Sequence, residues 1–216
     1  HIIIEDGVCF LPAIGATYFI KGKTENIFKE YLQALPLHLK SVSKASQANI
    51  YIKISPKPIT DQLLAEAYKL KVTSRQIMIE TNTETGAFYA IQTLLQMFDN
   101  SLGKLQCCTI IDRPNMKYRG LMIDVSRHFR SKEFLMKQLD VMAMLKINRM
   151  HLYLTDGAGW RIQIDKYLRL TDFAAWRPQK KWTDWVENGK QYCEKDNIFA
   201  YGGYYTKHDI AELVSY

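Results

Sequence analysis

Apolar side chains change their period several times along the chain, and each change marks an element. Ile50, Ile52 and Ile54 alternate with polar residues between Asn49 and Ser55, which predicts a half-buried strand closed by Pro56 and Pro58. Tyr68, Leu70 and Val72 repeat the alternation. Ser74-Arg75-Gln76 then offers a turn, and Ile77 and Ile79 a returning strand, so an antiparallel hairpin is expected. Phe88, Ile91, Leu94, Leu95 and Phe98 switch to a spacing of three or four, the stripe of a helix lying on a sheet. A loop is expected over Asn100 to Gly103 and a further strand from Leu105 to Ile111. Upstream, Ile27, Tyr31, Leu32, Leu35 and Leu39 predict a helix over residues 24–42. Residues 1–20 read as short strands around a turn at Glu5-Asp6-Gly7 and the stretch from Pro12 to Ala16. Together these elements predict an α+β domain over residues 1–112, a small sheet with helices on one side.

Asp112-Arg113-Pro114-Asn115 interrupts the pattern, because proline cannot donate to a ladder and restricts the residue before it. Residues 113–216 follow a different rule. Leu121 to Val125 is a nearly continuous apolar run, as in a strand buried on both faces. Asp124 interrupts that run and needs a partner, with Arg119 and Arg127 the candidates and a structural ion pair the plainer reading. Ser131 is placed to cap a helix whose first turn holds Glu133, whose stripe is Leu135, Leu139, Met142 and Leu145, and which ends near Lys146. A second strand, Met150 to Thr155, puts His151 and Tyr153 on one face and ends at Asp156. Strand, helix and strand, with polar residues at both strand tips, predict the start of a (β/α)8 barrel, an α/β fold cut after about two βα units. Residues 157–205 form a long aromatic connection, the kind of loop in which barrel enzymes build specificity. Its rings suit the apolar faces of sugars, although for Trp160 and Trp176 simple packing is the preferred reading. Thr206 to Asp209 resembles a capping box, with Ile210, Leu213 and Val214 expected to face a core.

Composition adds little. The 216 residues are 47% hydrophobic and 24% charged, ordinary for a globular chain. No run approaches the length of a membrane span, and the first residues are not a signal peptide. The net charge of +7 would suit an acidic partner, but the lysines are scattered and tight only at Lys180-Lys181, so solvated surface is expected and no nucleic-acid partner. Cys9, Cys107, Cys108 and Cys193 lack Cys-x-x-Cys spacing; neither a metal site nor any cofactor is expected, and Cys107 and Cys108 read as small core residues.

Several short motifs in register then point to a family. Tyr118-Arg-Gly-Leu-Met-Ile-Asp-Val-Ser-Arg-His-Phe129 resembles the opening barrel strand of the β-N-acetylhexosaminidases, glycoside hydrolase family 20. The resemblance continues through Met142 to Asp156, Gly159-Trp-Arg-Ile-Gln-Ile164, Leu170-Thr171, Ala175-Trp-Arg177 and Gly202-Gly-Tyr-Tyr-Thr206. Upstream, Glu66 to Val72, Gly86 to Gln96 and Asp112-Arg-Pro114 are similar to the family's N-terminal α+β domain. The resemblance implies a retaining hydrolase of glycans carrying terminal N-acetylhexosamine, in which the substrate's own acetamido group is the nucleophile. It implies a periplasmic, secreted or lysosome-like setting. It also implies an Asp-Glu pair, the Asp orienting the acetamido group and the Glu protonating the leaving oxygen. No Asp-Glu dipeptide occurs in this sequence, so the pair is expected beyond Tyr216 and these residues alone are expected to be inactive.

Carried over residue by residue, the resemblance makes Arg127 the ligand of the terminal sugar's hydroxyls. Its forked donors at a strand tip fit vicinal hydroxyls, and a bridge to Asp124 is the weaker reading. Asp156 matches an active-site aspartate that supports the acid; His128 also matches a family residue, although orienting the loop is the preferred reading for it. Two departures stand out. Tyr153 occupies a position where the family often has His, and cannot carry a proton at neutral pH as His can. Gly157 and Ala158 stand where a second Asp and a Gln are common. An inactive sugar-binding relative is therefore the alternative to an enzyme. An incomplete barrel also leaves apolar surface uncovered, so self-association is expected.

Overall fold

The computed structural model describes residues 1–22, 25–56, 62–99 and 103–216. The start of the first expected helix at residue 24, the closing role of Pro58 and the loop at 100–102 lie outside the described residues, as does the side chain of Ile27. The chain divides into two compact units, His1–Tyr118 and Arg119–Tyr216.

The first unit is built on one seven-stranded sheet. Its strands are β1 (Ile2–Phe10), β2 (Ile14–Lys21), β3 (His38–Ser41), β4 (Ile50–Ile54), β5 (Tyr68–Val72), β6 (Ile77–Thr81) and β7 (Lys104–Asp112), with helices α1 (Glu25–Gln33), α2 (Gln62–Ala65) and α3 (Glu84–Asp99) between them. The order across the sheet is β1-β7-β5-β6-β4-β2-β3. The alternating tracts behave as their period demands: Ile50, Ile52 and Ile54, Tyr68, Leu70 and Val72, and Ile77 and Ile79 are all buried. β5 and β6 form the expected hairpin, with Leu70 opposite Ile79. The helix stripe of α3, Ala87, Ala90, Ile91, Leu94 and Phe98, closes over them in one continuous core.

Two local expectations are corrected. Glu5-Asp6-Gly7 is not a turn between short strands. β1 runs through it as one strand whose register against β7 shifts between Ile4 and Val8, a bulge in which Gly7 takes φ +105°. Nor does the first helix extend over residues 24–42. α1 ends at Gln33, the chain turns through Pro36, and Leu39 sits on β3, parallel to β2. Leucines at 32, 35 and 39 fit a helical period, but Pro36 has no N–H to continue the ladder. β2, β4 and β6 are mutually parallel, so this sheet is larger and more mixed than the sequence suggested.

The second unit opens with β8 (Gly120–Asp124), α4 (Lys132–Met144) and β9 (Arg149–Tyr153), a βαβ unit in which β8 and β9 pair in parallel with Leu121 opposite Met150. Ser131 caps α4, accepting from the Phe134 N–H at 3.3 Å. The helix ends in a Schellman arrangement: Ile147 N–H donates to Met142 O at 2.8 Å and Lys146 N–H to Ala143 O at 3.0 Å, with Lys146 itself at φ +57°. Val125, Leu135 and Tyr205 form the core, joined by Ile123, Met150, Leu152, Ile210 and Leu213.

β8 is not buried on both faces. Its Ile123 face packs inward, whereas Met122 is 55% exposed. Among the described residues β9 is its sole ladder partner, and Leu135 of α4 with Ile210 and Leu213 of the last helix packs on the Ile123 side. Leu145 and Val214 are exposed rather than in the core, because each lies on the last turn of its helix, past the packed stripe. The long connection carries its own small elements: β10 (Thr155–Asp156) with β11 (Gly159–Trp160), α5 (Arg169–Asp172), β12 (Trp176–Arg177) with α6 (Trp182–Glu187) following, and β13 (Tyr201–Gly202) paired to β12. α7 (Lys207–Ser215) begins with the expected capping box of Thr206 and Asp209. Among the described residues no helix is long and apolar enough to cross a membrane, and no cluster of metal-ligating side chains occurs.

Candidate functional site

The polar ends of β8 and β9 meet. Asp124 closes β8, and the chain then turns through residues 125–128. Asp124 Oδ1 accepts the Arg127 backbone N–H at 3.0 Å, and its Oδ2 accepts from Arg127 Nη1. The same guanidinium reaches across to β10, where Nη2 lies 3.4 Å from Asp156 Oδ2. Arg127 thus stands between two carboxylates, with half of its side chain exposed. The paired Asp124 carboxylate raises its pKa further, so it is cationic at every accessible pH. The Tyr153 ring lies 6.0 Å from the guanidinium. The bridge to Asp124, the weaker sequence reading of Arg127, is present and holds the fork in place rather than removing it from the mouth. Arg119, the other candidate partner of Asp124, is turned to the Lys146 carbonyl at 2.7 Å.

Asp156 sits on the two-residue strand that pairs with β11, and its Oδ1 accepts the Gly157 N–H at 2.7 Å. A side chain at 157 would enter open space. Gly157 O accepts the Tyr192 hydroxyl, whose pKa is raised by burial and by the Asp156 charge. His128 lies apart from this group. Its Nδ1 is 3.4 Å from the Tyr201 hydroxyl, and burial together with Arg177 and Arg130 lowers its pKa, so it is neutral at pH 7. The indole N–H groups of Trp160 and Trp176 are taken up by the carbonyls of Ile162 and Thr171, both at 2.7 Å.

Arg161 is the functional candidate that the sequence concealed. Its side chain is fully buried. Nε donates to Val125 O at 3.0 Å, Nη2 to Ser126 O at 2.8 Å, and Nη1 to Gly203 O at 3.0 Å and to Ala175 O. Burial, with the nearby Arg177 charge, lowers its pKa to about 10, which still leaves it charged at neutral pH. Gly159 makes the room: a Cβ there would lie 2.3 Å from the guanidinium carbon. Ser126, also fully buried, donates through Oγ to Gly159 O at 2.7 Å.

Chemically, the strand tips offer a fixed cationic fork flanked by two acceptor carboxylates, an arrangement that matches neighbouring hydroxyl groups on a polyol. A parallel βαβ unit with its polar constellation at the strand C-termini is how a (β/α)8 barrel opens, and that face is where such barrels carry their sites. The chain is a member of glycosyl hydrolase family 20. Residues 17–113 match the family's domain 2 and residues 116–216 its catalytic domain. A β-hexosaminidase of Vibrio furnissii is 36% identical over the whole chain, which spans 34% of that protein. An N,N'-diacetylchitobiase of Vibrio harveyi is 34% identical over 77% of the chain and 19% of its own length. A family 20 exo-β-N-acetylglucosaminidase from Vibrio harveyi, solved with N-acetylglucosamine, superposes over 100% of the chain with a TM-score of 0.78 and 30% identity, the chain covering 33% of it. A β-N-acetylhexosaminidase from Bacteroides fragilis gives a TM-score of 0.78 over 99% of the chain and 39% of its own, at 26% identity. The chain therefore spans about a third or less of the length of these Vibrio relatives. Its fold is the family's α+β domain followed by the opening βαβ unit of the catalytic barrel.

Proposed function

We propose that this chain is the sugar-reading portion of a β-N-acetylhexosaminidase that removes terminal, non-reducing N-acetylhexosamine with retention of configuration. The observation that carries the reading is the Arg127 guanidinium, braced by Asp124 and Asp156 at the mouth formed by β8 and β9. Arg127 donates to two hydroxyls of the terminal ring, and Asp156 supports the catalytic acid. The reaction is substrate-assisted: the acetamido oxygen attacks the anomeric carbon as the glycosidic bond breaks, and a Glu protonates the departing oxygen. Water then opens the cyclic intermediate. The Asp-Glu pair that orients the acetamido group and delivers the proton is supplied from beyond residue 216. Neither Asp124 nor Asp156 replaces it, since both are committed to Arg127.

The test is release of p-nitrophenol from p-nitrophenyl N-acetyl-β-glucosaminide. The full-length protein should turn the substrate over, and residues 1–216 alone should match buffer. Hydrolysis by residues 1–216 that vanishes in Asp156→Ala would place the chemistry in this chain. A second reading is favoured by Tyr153 and Gly157, which stand where the family often has His and a second Asp: a relative that binds N-acetylglucosamine without cleaving it. Calorimetric binding of the sugar by a full-length protein that gives no turnover would establish that reading instead.

A further inference from the structure

We infer that Arg161, acting with Ser126, is a positioning residue that sets the separation of Arg127 and Asp156. The inference rests on the function proposed above. Arg161 touches neither Arg127 nor Asp156. It holds the carbonyls of Val125 and Ser126, the two residues immediately before Arg127, through Nε and Nη2 at 3.0 and 2.8 Å. The turn that aims the sugar ligand is thereby fixed from behind. Through Nη1 the same guanidinium holds Ala175 and Gly203, two further points on the long connection.

The second half of the device runs through Ser126. Its Oγ donates to Gly159 O at 2.7 Å, and Gly159 is the ladder partner of Asp156 on the β10–β11 pair. One buried group therefore pins the backbone under Arg127, and the residue it pins in turn pins the strand opposite Asp156. The 3.4 Å approach of the Arg127 and Asp156 side chains is set by this pair of backbone anchors. A lysine at 161 cannot reproduce it, because one ammonium cannot serve carbonyls spread across a planar fork. No carboxylate neutralises Arg161 among the hydrogen bonds and ion pairs of the described residues. Its four acceptors are all main-chain carbonyls, so what it fixes is backbone position.

The experiment uses the full-length protein in four forms: wild type, Arg161→Lys, Arg161→Ala and Ser126→Ala. Activity on the aryl N-acetylglucosaminide is measured with and without millimolar ethylguanidinium, with ethylammonium as the control. In parallel, the arginine Nε–H resonances are followed by NMR, which reports Arg127 order whether or not the protein is an enzyme. Arg161→Ala should lower kcat/KM roughly a hundredfold and Ser126→Ala roughly tenfold, the loss falling on both kcat and KM. Ethylguanidinium should restore Arg161→Ala saturably and ethylammonium should not, and the Arg127 Nε–H signal should broaden or vanish in Arg161→Lys. Wild-type kinetics in a folded Arg161→Lys protein would overturn the inference, as would an unchanged Arg127 resonance in that variant. If Arg161→Ala fails to fold, Ser126→Ala decides: unchanged kcat/KM and an unchanged Arg127 resonance would overturn it. A wild type that neither binds nor cleaves the sugar would sink the proposed function, while the NMR comparison would still decide whether Arg161 orders Arg127.

Discussion

The place of Arg127 just past the tip of an apolar strand was legible in the sequence, and strand tips are where barrel enzymes carry their sites; its role as a sugar ligand came from the family resemblance alone. Replacing it with Ala in the full-length protein removes charge-assisted donors worth about 1.5–3 kcal/mol each, so kcat/KM on the aryl N-acetylglucosaminide should fall at least about tenfold with the melting temperature little changed. Retained efficiency would show that Arg127 is not a sugar ligand. Arg161 was not legible in the same way. An arginine in a loop ordinarily marks surface, and the carbonyls that bury this one come from three distant segments that share no local pattern. A second residue-scale effect concerns Asp209. Thr206 and then Lys132 donate to its carboxyl and pull its pKa down to about 2 from 3.8. A depressed folded-state pKa means that its stabilisation is complete above the ordinary carboxyl value and is lost as pH falls through about 2. Asp209→Asn should therefore melt lower than wild type at pH 7, by about 1 kcal/mol for the weakened capping box, and the difference should shrink on acidification from about pH 4 toward pH 2.

At the scale of elements, alternation found its strands, and helical spacing found α3, α4 and α7 but overran α1. β4, β5 and β6 emerge as their isoleucines and the Tyr68, Leu70, Val72 alternation indicate, since a period of two leaves one face apolar whatever lies beside it. The first helix was overextended because leucines at 32, 35 and 39 fit 3.6 residues per turn even though Pro36 separates them into different elements. The parallel pairing of β2, β4 and β6 could not be read, since strand direction depends on connections rather than on any strand's own pattern. α4 supplies the prediction here. Lys146 occupies its left-handed C′ position, which costs a residue bearing a Cβ about 1 kcal/mol. Lys146→Gly keeps the backbone carbonyl that Arg119 uses, so it should raise the unfolding free energy by up to about 1 kcal/mol in a urea titration. A lower midpoint would mean that the lysine side chain contributes more than its backbone costs.

At the scale of the whole molecule, apolar surface is open in both units. β1 is an edge strand with Ile2, Ile4 and Phe10 each more than 60% exposed, and the β8–β9 pair shows Met122 on its open face. Unpaired edges with apolar side chains template association. Residues 1–216 alone should therefore sediment as a concentration-dependent mixture at micromolar levels and above. A clean monomer with a cooperative melt would show that these surfaces are tolerated. The sequence pointed to this face, since a barrel cut after two βα units leaves its inner surface uncovered. It predicted a strand apolar throughout, and such a strand is covered on both sides only when further strands and helices flank it.

The guanidinium clasp of Arg161 also has a kinetic consequence. Its four carbonyls lie 36 and 35 residues earlier and 14 and 42 residues later in the chain. The clasp cannot close until those loops have been gathered, and loop-closure entropy is lost before any of the four bonds rewards it. The clasp is therefore expected to close after the rate-limiting barrier and to strengthen only the native side. In stopped-flow denaturant jumps, Arg161→Lys should accelerate the unfolding limb and leave the refolding limb nearly superimposable on wild type. The residue would then act as a latch on lifetime, governing how long the mouth stays assembled rather than how fast it forms.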